Sequence, residues 1–362
     1  MPEKDAAPSE TPAAEAGAEG GAAKPEVKEE AAAAAPPQKT MKSVVLTGFG
    51  SMKMIKVQQK PEPKLADGEV LIRVKACGMS FPDLMVRQGV IDNPPKTPLI
   101  LGFECAGEVE AVGENVTDFS VGDRVIALTD FKAWAELVSV SANTVYKIPD
   151  NMSFHDGAAL LMNYITAYVL LFDLANLRKG QSLLIHSAAG GVGVDIVLDC
   201  LCGEDTNRGI SILKPMGKYL LYGSSNIVTG ETKSFFSFAK SWWQVDKVNP
   251  IKLSDDNKCV GGFQLRRLLF RQSQYGYVRN VVDSLLDLYR QGKIHPTIDS
   301  VWAFEDVGEG MQKLHDRKNI GKILLDPSKE PVPKTQGKGC EQAEANVENG
   351  PGEKSESAVN GE

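Results

Sequence analysis

The stretch 181–203 constrains the fold of this 362-residue chain more than any other part of it. Residues 182–187 predict a short buried strand, and a glycine-rich turn follows it, formed by Gly190, Gly191 and Gly193. Turns of this kind let backbone N–H groups approach a pyrophosphate, and they normally open a helix whose N-terminus attracts the anion. Residues 194–198 are β-branched or aliphatic and predict a second strand instead. The helix that normally follows a dinucleotide-binding turn is therefore missing from the sequence.

The connection between these two predicted strands is short. Neighbouring parallel strands need a crossover of about a dozen residues or more. Residues 187–193 number seven, and a fully extended segment of that length spans at most roughly 25 Å. We therefore expect the second strand to pair antiparallel with the first, or the sheet not to form.

Composition excludes one class of function. The formal net charge is −7, and no basic stripe is present to neutralise phosphates, which argues against a nucleic-acid partner. The six cysteines show neither a CxxC pair nor regular spacing. Together with the lack of a recognisable signal peptide, this predicts reduced thiols in a cytosolic protein.

The two ends, 1–40 and 327–362, contain few large apolar residues and are predicted to be disordered tails.

Residues 99–125 carry a dense pattern of glycines and valines that is typical of a small β-barrel. The run resembles the chaperonin-10-like (GroES-like) domain of the medium-chain dehydrogenase/reductase superfamily. The resemblance implies an α/β protein with a GroES-like barrel built from 41–160 and 292–326. A truncated Rossmann-type domain would then occupy 161–291.

Zinc-dependent members of this superfamily hold their catalytic metal partly through a cysteine shortly after a glycine and through the histidine of Gly-His-Glu. The matching positions in this chain are Ser80 and Phe103. A serine is a poor zinc ligand and a phenylalanine is none, so no tetrahedral site can be built there. We expect no metal, as in the quinone-oxidoreductase-like branch of the superfamily.

The resemblance also defines what is missing after Gly193. The quinone-oxidoreductase signature is matched from Gly180 to Gly193, but Leu198 stands where the family expects glutamine. The family then has a helix, a ribose-reading strand and a further helix-strand-helix, which is roughly 50–60 residues. Our hypothesis is that this chain is an internally shortened reductase whose NADPH binding is impaired or lost.

The apolar stretch 158–177 has two interpretations. Asn163, Thr166 and Asp173 interrupt it, and no cationic flank marks a membrane boundary, which favours a buried helix between domains. In the resembling reductases this helix lines the cofactor cleft. The resemblance then gives Ser80, Tyr164 and Thr166 the catalytic role of orienting the substrate. Ordinary helix packing remains an alternative for Tyr164 and Thr166.

The resemblance further implies a set of NADPH-binding residues. Near the end of the fold, a Gly-Lys pair commonly contacts the NADPH phosphates, although a solvated lysine at a strand end is the alternative. His186 is interpreted as a buried strand histidine, because hydride transfer takes its chemistry from the cofactor. The candidate cofactor-binding residues are Gly190, Gly191, Gly193, Gly223, Ser224, Ser225 and Lys322.

Residues 235–245 form an aromatic segment that contains Phe235, Trp242 and Trp243. Three interpretations stay open: packing between domains or within a homodimer, an apolar lid over the substrate cleft, and an interfacial patch on a membrane. With this segment the chain resembles the vesicle amine transport proteins. That family implies a cytosolic protein attached peripherally to vesicle or mitochondrial outer membranes.

Two functions follow. The first is a zinc-independent NADPH oxidoreductase that reduces small quinone-like or enone carbonyl compounds, which is what the resemblance implies. The second is a non-catalytic, membrane-peripheral scaffold that keeps the reductase fold, which the gap after Gly193 favours.

Overall fold

A computed structural model describes residues 39–91, 93–185, 193–224 and 248–333 of the chain. Its strands are β1 (Thr40–Leu46), β2 (Ile55–Pro61), β3 (Glu69–Met79), β4 (Leu99–Ile100), β5 (Glu104–Val112), β6 (Arg124–Leu128), β7 (Leu137–Ser141), β8 (Val145–Lys147), β9 (Leu183–Ile185), β10 (Val194–Asp199), β11 (Leu213–Leu221), β12 (Cys259–Gly262), β13 (Ile298–Trp302) and β14 (Lys322–Leu325). The α-helices are α1 (Phe81–Gln88), α2 (Phe154–Tyr168), α3 (Glu204–Ser211), α4 (Pro250–Asp255), α5 (Leu265–Phe270), α6 (Tyr275–Arg290) and α7 (Val307–His315).

The barrel is organised around β3. This strand pairs antiparallel with β5, β7 and β14, and β13 adds to β14 in parallel. The segment after α6 therefore returns to the barrel, as the resemblance implied. A smaller antiparallel sheet, β2-β1-β4, completes this half of the molecule. Its core is made of buried aliphatic and aromatic side chains such as Ile72, Trp134 and Phe304.

Gly107 shows why the barrel sequence is rich in glycine. A Cβ on Gly107 would lie 2.1 Å from the carbonyl oxygen of Arg73 on the facing strand, so only glycine fits this close approach. Strand β7 begins only at Leu137, and the earlier residues Phe131 and Lys132 have left-handed φ values of 74° and 77° that interrupt extended backbone.

The second half of the molecule is a parallel sheet in the order β12-β11-β10-β9. The prediction that the strands around the glycine turn pair antiparallel, or form no sheet, is wrong. Ile196 pairs in parallel with Leu183, and Leu198 pairs in parallel with Ile185. The described β9 has only three residues, which is about 10 Å of strand. The chain must cover only this distance to run back before β10 pairs in parallel, and residues 186–193 are long enough for that. Residues 186–192, which include His186, Gly190 and Gly191, lie outside the described part.

Strand β11 is irregular within this sheet. Its pairing with β10 slips between Leu213 and Lys218, and Met216 has a φ of 67°. Helix α3, Glu204–Ser211, is the connection between the parallel strands β10 and β11.

Helix α2 packs between the barrel and α6. Its buried side chains Leu160, Leu161 and Ile165 share an apolar cluster with residues of α6 and of the barrel, and a π-helical turn, Val169–Leu174, continues it. Among the described residues, Phe154–Leu174 is the one helical run whose length and composition would allow it to cross a membrane. Core helices pass the same test, so this is weak evidence for a span.

A glycine substitution in the barrel tests this architecture. Gly107→Ala is expected to lower the free energy of unfolding by roughly 2–4 kcal/mol, because the new Cβ cannot fit beside Arg73. Gly276→Ala in α6 is the matched control, since a Cβ there meets no atom within 4 Å; it should be neutral or stabilise the protein by up to about 1 kcal/mol. Urea unfolding followed by circular dichroism measures both. Equal stability of the two variants would contradict the described packing of β3 on β5.

Candidate active site

Ser80 lies where β3 ends and α1 begins. Its backbone N–H donates to Asp83 Oδ2 at 2.8 Å, which fixes the start of the helix. Two residues earlier, a Cβ on Gly78 would lie 2.4 Å from Glu104 Oε1 and 2.6 Å from the Ala158 carbonyl oxygen. Glycine at this position therefore lets β5 and α2 approach β3 closely and brings Glu104 next to Ser80.

Three buried side chains form what we call the polar node: Ser80, Glu104 and Lys322. Lys322 Nζ lies 2.5 Å from Glu104 Oε1 and 2.5 Å from Ser80 Oγ. Ser80 Oγ is 3.3 Å from the same carboxylate oxygen. The other carboxylate oxygen of Glu104 accepts the N–H of Met162 in α2 at 2.9 Å. The node therefore joins the barrel, its closing strand and α2.

Asp83 adds a second buried carboxyl group beside the node. Burial raises the pKa of Asp83 to about 7, although the hydrogen bond from the Ser80 N–H and the charge of Lys322 act in the opposite direction. This carboxyl group therefore changes its charge near neutral pH, beside the buried charges of the polar node.

Phe103, the residue at the position of the zinc-binding histidine, is part of an aromatic cluster. Its ring centroid lies 5.1 Å from that of Phe131. The Arg266 guanidinium lies 4.9 Å above the Phe131 ring and 6.0 Å from that of Phe103, and Arg266 Nε donates to Asp130 at 2.7 Å. Cation–π contacts of this kind hold α5 against the barrel.

These donors do not fit a zinc ion. One zinc-matching position offers a hydroxyl with an ammonium 2.5 Å away, and the other offers a phenyl ring. Within the described ranges, no three His, Cys, Asp or Glu side chains come together as a metal site. We therefore derive no metal-dependent step, and the expected absence of zinc stays a prediction.

The three predicted catalytic residues are only partly brought together. Thr166 Oγ1 donates to the Met162 carbonyl at 2.7 Å, so Thr166 is linked to the node through Met162. The Tyr164 hydroxyl instead donates to the His295 carbonyl at 3.2 Å, in a different polar group. Burial raises the pKa of the Tyr164 hydroxyl, and the nearby Asp156 adds to this. The catalytic roles of Ser80, Tyr164 and Thr166 stay predictions.

Lys322 is not the solvated strand-end lysine that the sequence left open, because it is only 4% exposed. Its proposed contact with NADPH phosphates stays a prediction. Glu104 and Asp83 were not predicted as members of the site. The sequence does contain an indication of them, namely a charged residue inside an otherwise apolar strand or helix. Such residues are rarely buried unless they are paired.

The carboxyl edge of the parallel sheet holds a buried carboxylate, Asp199. It accepts the N–H of Leu201 at 2.7 Å and the hydroxyls of Thr206 and Tyr219. Gly223 follows β11 at the same edge, where a Cβ would lie 2.9 Å from the Cys200 carbonyl oxygen. Ligands of doubly wound sheets bind at this edge, and Ser224 follows there.

The structure does not bring all predicted cofactor residues to this edge. Gly193 immediately precedes β10 and therefore lies at its amino end, next to Lys214. Gly223 and Ser224 lie at the opposite, carboxyl edge of the sheet, so the six residues of β10 separate them from Gly193. A contact of Gly193 with the same bound molecule stays a prediction, as do the roles of Gly190, Gly191 and Ser225, which lie outside the described residues.

The described residues do not make a complete dinucleotide site. In the described part of the sheet, β9 pairs with β10 alone and ends the sheet. The doubly wound order has further strands on that side, and these carry the residues that recognise the ribose. The described residues therefore include no strand that would recognise the ribose of NADPH, and we derive no step through this cofactor.

Comparisons with known families and structures agree with this architecture. The alcohol dehydrogenase GroES-like domain family matches residues 66–150, and the zinc-binding dehydrogenase family matches residues 175–325. The fold and the two matched families define a protein of the medium-chain dehydrogenase/reductase superfamily. The domain boundaries at 160 and 291 stay predictions.

The relatives narrow the family. The mouse synaptic vesicle membrane protein VAT-1 homolog-like is 51% identical, over 85% of this chain and 86% of its own length. The zebrafish synaptic vesicle membrane protein VAT-1 homolog is 40% identical, over 80% of this chain and 71% of its own. The chain belongs to the family of synaptic vesicle membrane protein VAT-1 homologues.

Solved structures support the same assignment. The crystal structure of the human VAT-1 homolog-like protein superposes with a TM-score of 0.69 at 44% identity, covering 81% of this chain and 99% of the human one. A mycobacterial protein whose structure contains NADPH has a TM-score of 0.66 at 22% identity, covering 79% of this chain and 100% of its own. The second comparison shows the fold alone.

The alignments also measure the missing segment. The alignment with the mouse relative runs over 360 positions, but only 85% of this chain, about 308 residues, takes part. About 50 positions therefore have no counterpart in this chain. This agrees in size with the segment that the sequence analysis placed after Gly193.

The pairing of charges in the polar node predicts how substitutions there change the free energy of unfolding. Lys322→Met alone should lower the free energy of unfolding by roughly 3–5 kcal/mol, because it leaves the Glu104 carboxylate buried without its partner. The double variant Lys322→Met with Glu104→Gln should recover most of this loss. The partly exposed pair of Lys42 and Glu305 is the control, since Lys42→Met should cost less than about 1 kcal/mol. A double-mutant cycle in urea measures all of them, and additive effects at the node would contradict the pairing.

The raised pKa of Asp83 predicts how the stability of the protein depends on pH. A carboxyl group whose folded pKa is raised from 3.8 to about 7 binds more protons in the folded state, so stability is lost as pH rises between these values. From pH 5 to pH 7 we expect this group to lower the free energy of unfolding by roughly 2–3 kcal/mol. Asp83→Asn, which keeps an acceptor for the Ser80 N–H, should remove that slope. An unchanged pH dependence in the variant would show that Asp83 has an ordinary pKa.

Proposed function

We propose that this chain is a zinc-independent, quinone-oxidoreductase-like protein that binds a small carbonyl compound beside Ser80 and has a weakened affinity for NADPH. The observation that carries the proposal is the end of the parallel sheet at β9 within the described part of the chain. The barrel half of the site, with the polar node, is complete, whereas the nucleotide half lacks the strands that follow β9 in the doubly wound order.

The carbonyl ligand follows from the chemistry around Ser80. Its hydroxyl is the node's one neutral polar group, and the residues that precede Ser80 and Glu104 in the sequence, Met79 and Phe103, are apolar and buried. A small, largely apolar compound with one hydrogen-bond acceptor suits such surroundings. In the family this compound would be a quinone or an enone.

The weakened NADPH affinity follows from the missing segment. The absent strand would supply the hydrogen bonds to the adenosine ribose and its phosphate, and a dinucleotide site without such hydrogen bonds has a lower affinity. Gly223, Ser224 and the carboxyl edge of β10 remain. We expect the absence of this strand to weaken NADPH binding by roughly 100-fold or more, which corresponds to about 2.8 kcal/mol.

Titration with NADPH, followed by quenching of tryptophan fluorescence, tests this directly. The chain should show no saturation at micromolar NADPH. A chimera that carries, after Gly193, the corresponding segment of the mouse relative should bind NADPH at least roughly 100-fold more tightly. Tight, saturable binding by the unmodified chain would contradict the proposal. Weak binding by a correctly folded chimera would show that the missing segment is not the cause.

The second candidate function is that of a non-catalytic scaffold at a membrane. It is favoured by the missing segment and by the names of the relatives, which are called synaptic vesicle membrane proteins. We propose a cytosolic chain that attaches peripherally to vesicle or mitochondrial outer membranes. The aromatic segment 235–245 would insert at the lipid interface, and it lies outside the described residues.

Liposome co-sedimentation tests the attachment. Replacing Trp242 and Trp243 by alanine should abolish pelleting with anionic vesicles, because interfacial binding depends on large aromatic side chains. Phe172→Ala is the control, since Phe172 is 52% exposed on the apolar helical run but outside the aromatic segment. If the tryptophan variant pellets like the unmodified chain, the aromatic segment is not a membrane anchor. Loss of pelleting in Phe172→Ala alone would assign the membrane-binding role to the helical run.

A further inference from the structure

The polar node restricts which hydrogen bonds Ser80 can make. An ammonium group has three N–H donors and no acceptor, so the 2.5 Å contact between Lys322 Nζ and Ser80 Oγ must use a lone pair of the serine oxygen. The hydroxyl keeps its own hydrogen atom. The direction of this hydrogen bond is therefore fixed by chemistry.

The hydroxyl hydrogen has only a weak partner inside the node. The nearest acceptor, Glu104 Oε1, is 3.3 Å from Ser80 Oγ, and it already accepts the shorter bond from Lys322 at 2.5 Å. Hydrogen bonds between two oxygens are normally about 2.5–3.0 Å long. A ligand oxygen at ordinary distance would therefore take this hydrogen atom more strongly than Glu104 does.

Lys322 is held in place independently of Ser80. Its backbone N–H donates to the Thr297 carbonyl at 2.7 Å, within the closing part of the barrel. Glu104 is held by the Met162 N–H at 2.9 Å. The backbone of Lys322 and the carboxylate of Glu104 are thus held by neighbouring backbone groups, and Glu104 in turn holds the Lys322 ammonium. Ser80 keeps the largest exposed fraction of the three, 7% against 4% for Lys322 and 1% for Glu104.

We propose that Lys322 is a positioning residue that fixes the Ser80 hydroxyl as a hydrogen-bond donor, so that the site selects ligands through a carbonyl oxygen. The inference rests on the proposed function for the ligand class and deepens it, because it assigns the selecting group. Lys322 then acts where the carbonyl oxygen of the ligand binds, and its ammonium is hydrogen bonded to Ser80 and Glu104. No covalent or redox step is needed for this selection.

A pair of probes that differ in one oxygen measures the selection. 1-Indanone carries a carbonyl group, and indane is the same ring system without it. Neither needs a nucleotide in order to bind, so the experiment is independent of the NADPH titration. Equilibrium dialysis against the full chain gives the affinity ratio of the two compounds. We expect the unmodified chain to prefer 1-indanone about ten-fold, the effect of one good hydrogen bond.

The variants separate a positioning role from a purely structural one. Ser80→Ala should bring the ratio to about one, and the paired variant Lys322→Met with Glu104→Gln should lower it to about three, because the hydroxyl is then free to rotate. The paired variant avoids an unpaired buried charge, so it keeps the fold. A structural role would weaken both probes equally and leave the ratio unchanged.

The control is the partly exposed ion pair of Lys42 and Glu305, replaced by methionine and glutamine, which should leave the ratio at that of the unmodified chain. The proposal is overturned if Ser80→Ala or the paired variant keeps the full preference, or if the unmodified chain binds neither probe or does not distinguish them. A preference for 1-indanone together with tight NADPH binding would overturn the weakened cofactor site and leave the role of Lys322 standing.

Discussion

The buried ion pair between Lys322 and Glu104 is the interaction on which the barrel half of the molecule depends. Its partners come from strands far apart in the sequence, β14 and β5, and both side chains are at most 4% exposed. Burial makes such a pair costly unless both charges are present and further hydrogen bonded. Ser80 and the Met162 N–H supply those bonds. The closing strand, the barrel and α2 are therefore held in one arrangement.

The parallel sheet is stabilised separately from the barrel. Within the described residues, its two apolar clusters, around Leu198 and around Tyr219, contain no side chain from the barrel strands. A shortened sheet can therefore keep its own core without disturbing the polar node. The parallel pairing of β9 with β10 over three residues shows how the shortened sheet still forms. The nucleotide half of this fold can thus be reduced while the barrel half retains its chemistry.

How far the sequence predicts the structure depends on the range of the interactions. The glycine and valine pattern of residues 99–125 predicts the barrel, because that signal is local, whereas Ser80 entered the predicted site only through the resemblance to the superfamily. The pairing of β9 with β10 was mispredicted, since the crossover rule assumes full-length strands. Glu104 was missed because its partner, Lys322, lies far away in the sequence, on the closing strand. No periodicity in one segment indicates such a contact.

The positions that match the zinc ligands of the superfamily both lie beside a charged pair in this structure. Ser80 is contacted by the Lys322 ammonium, and Phe103 lies beneath the Arg266 guanidinium. Glu104 and Asp130 match these two positive charges one for one, so each position is next to a dipole rather than a net charge. Because the Lys322 ammonium is in contact with Ser80, a ligand oxygen that accepts from the Ser80 hydroxyl would approach the positive end of the nearer dipole. The direction of this dipole, rather than a net field, favours an electron-rich oxygen at this point.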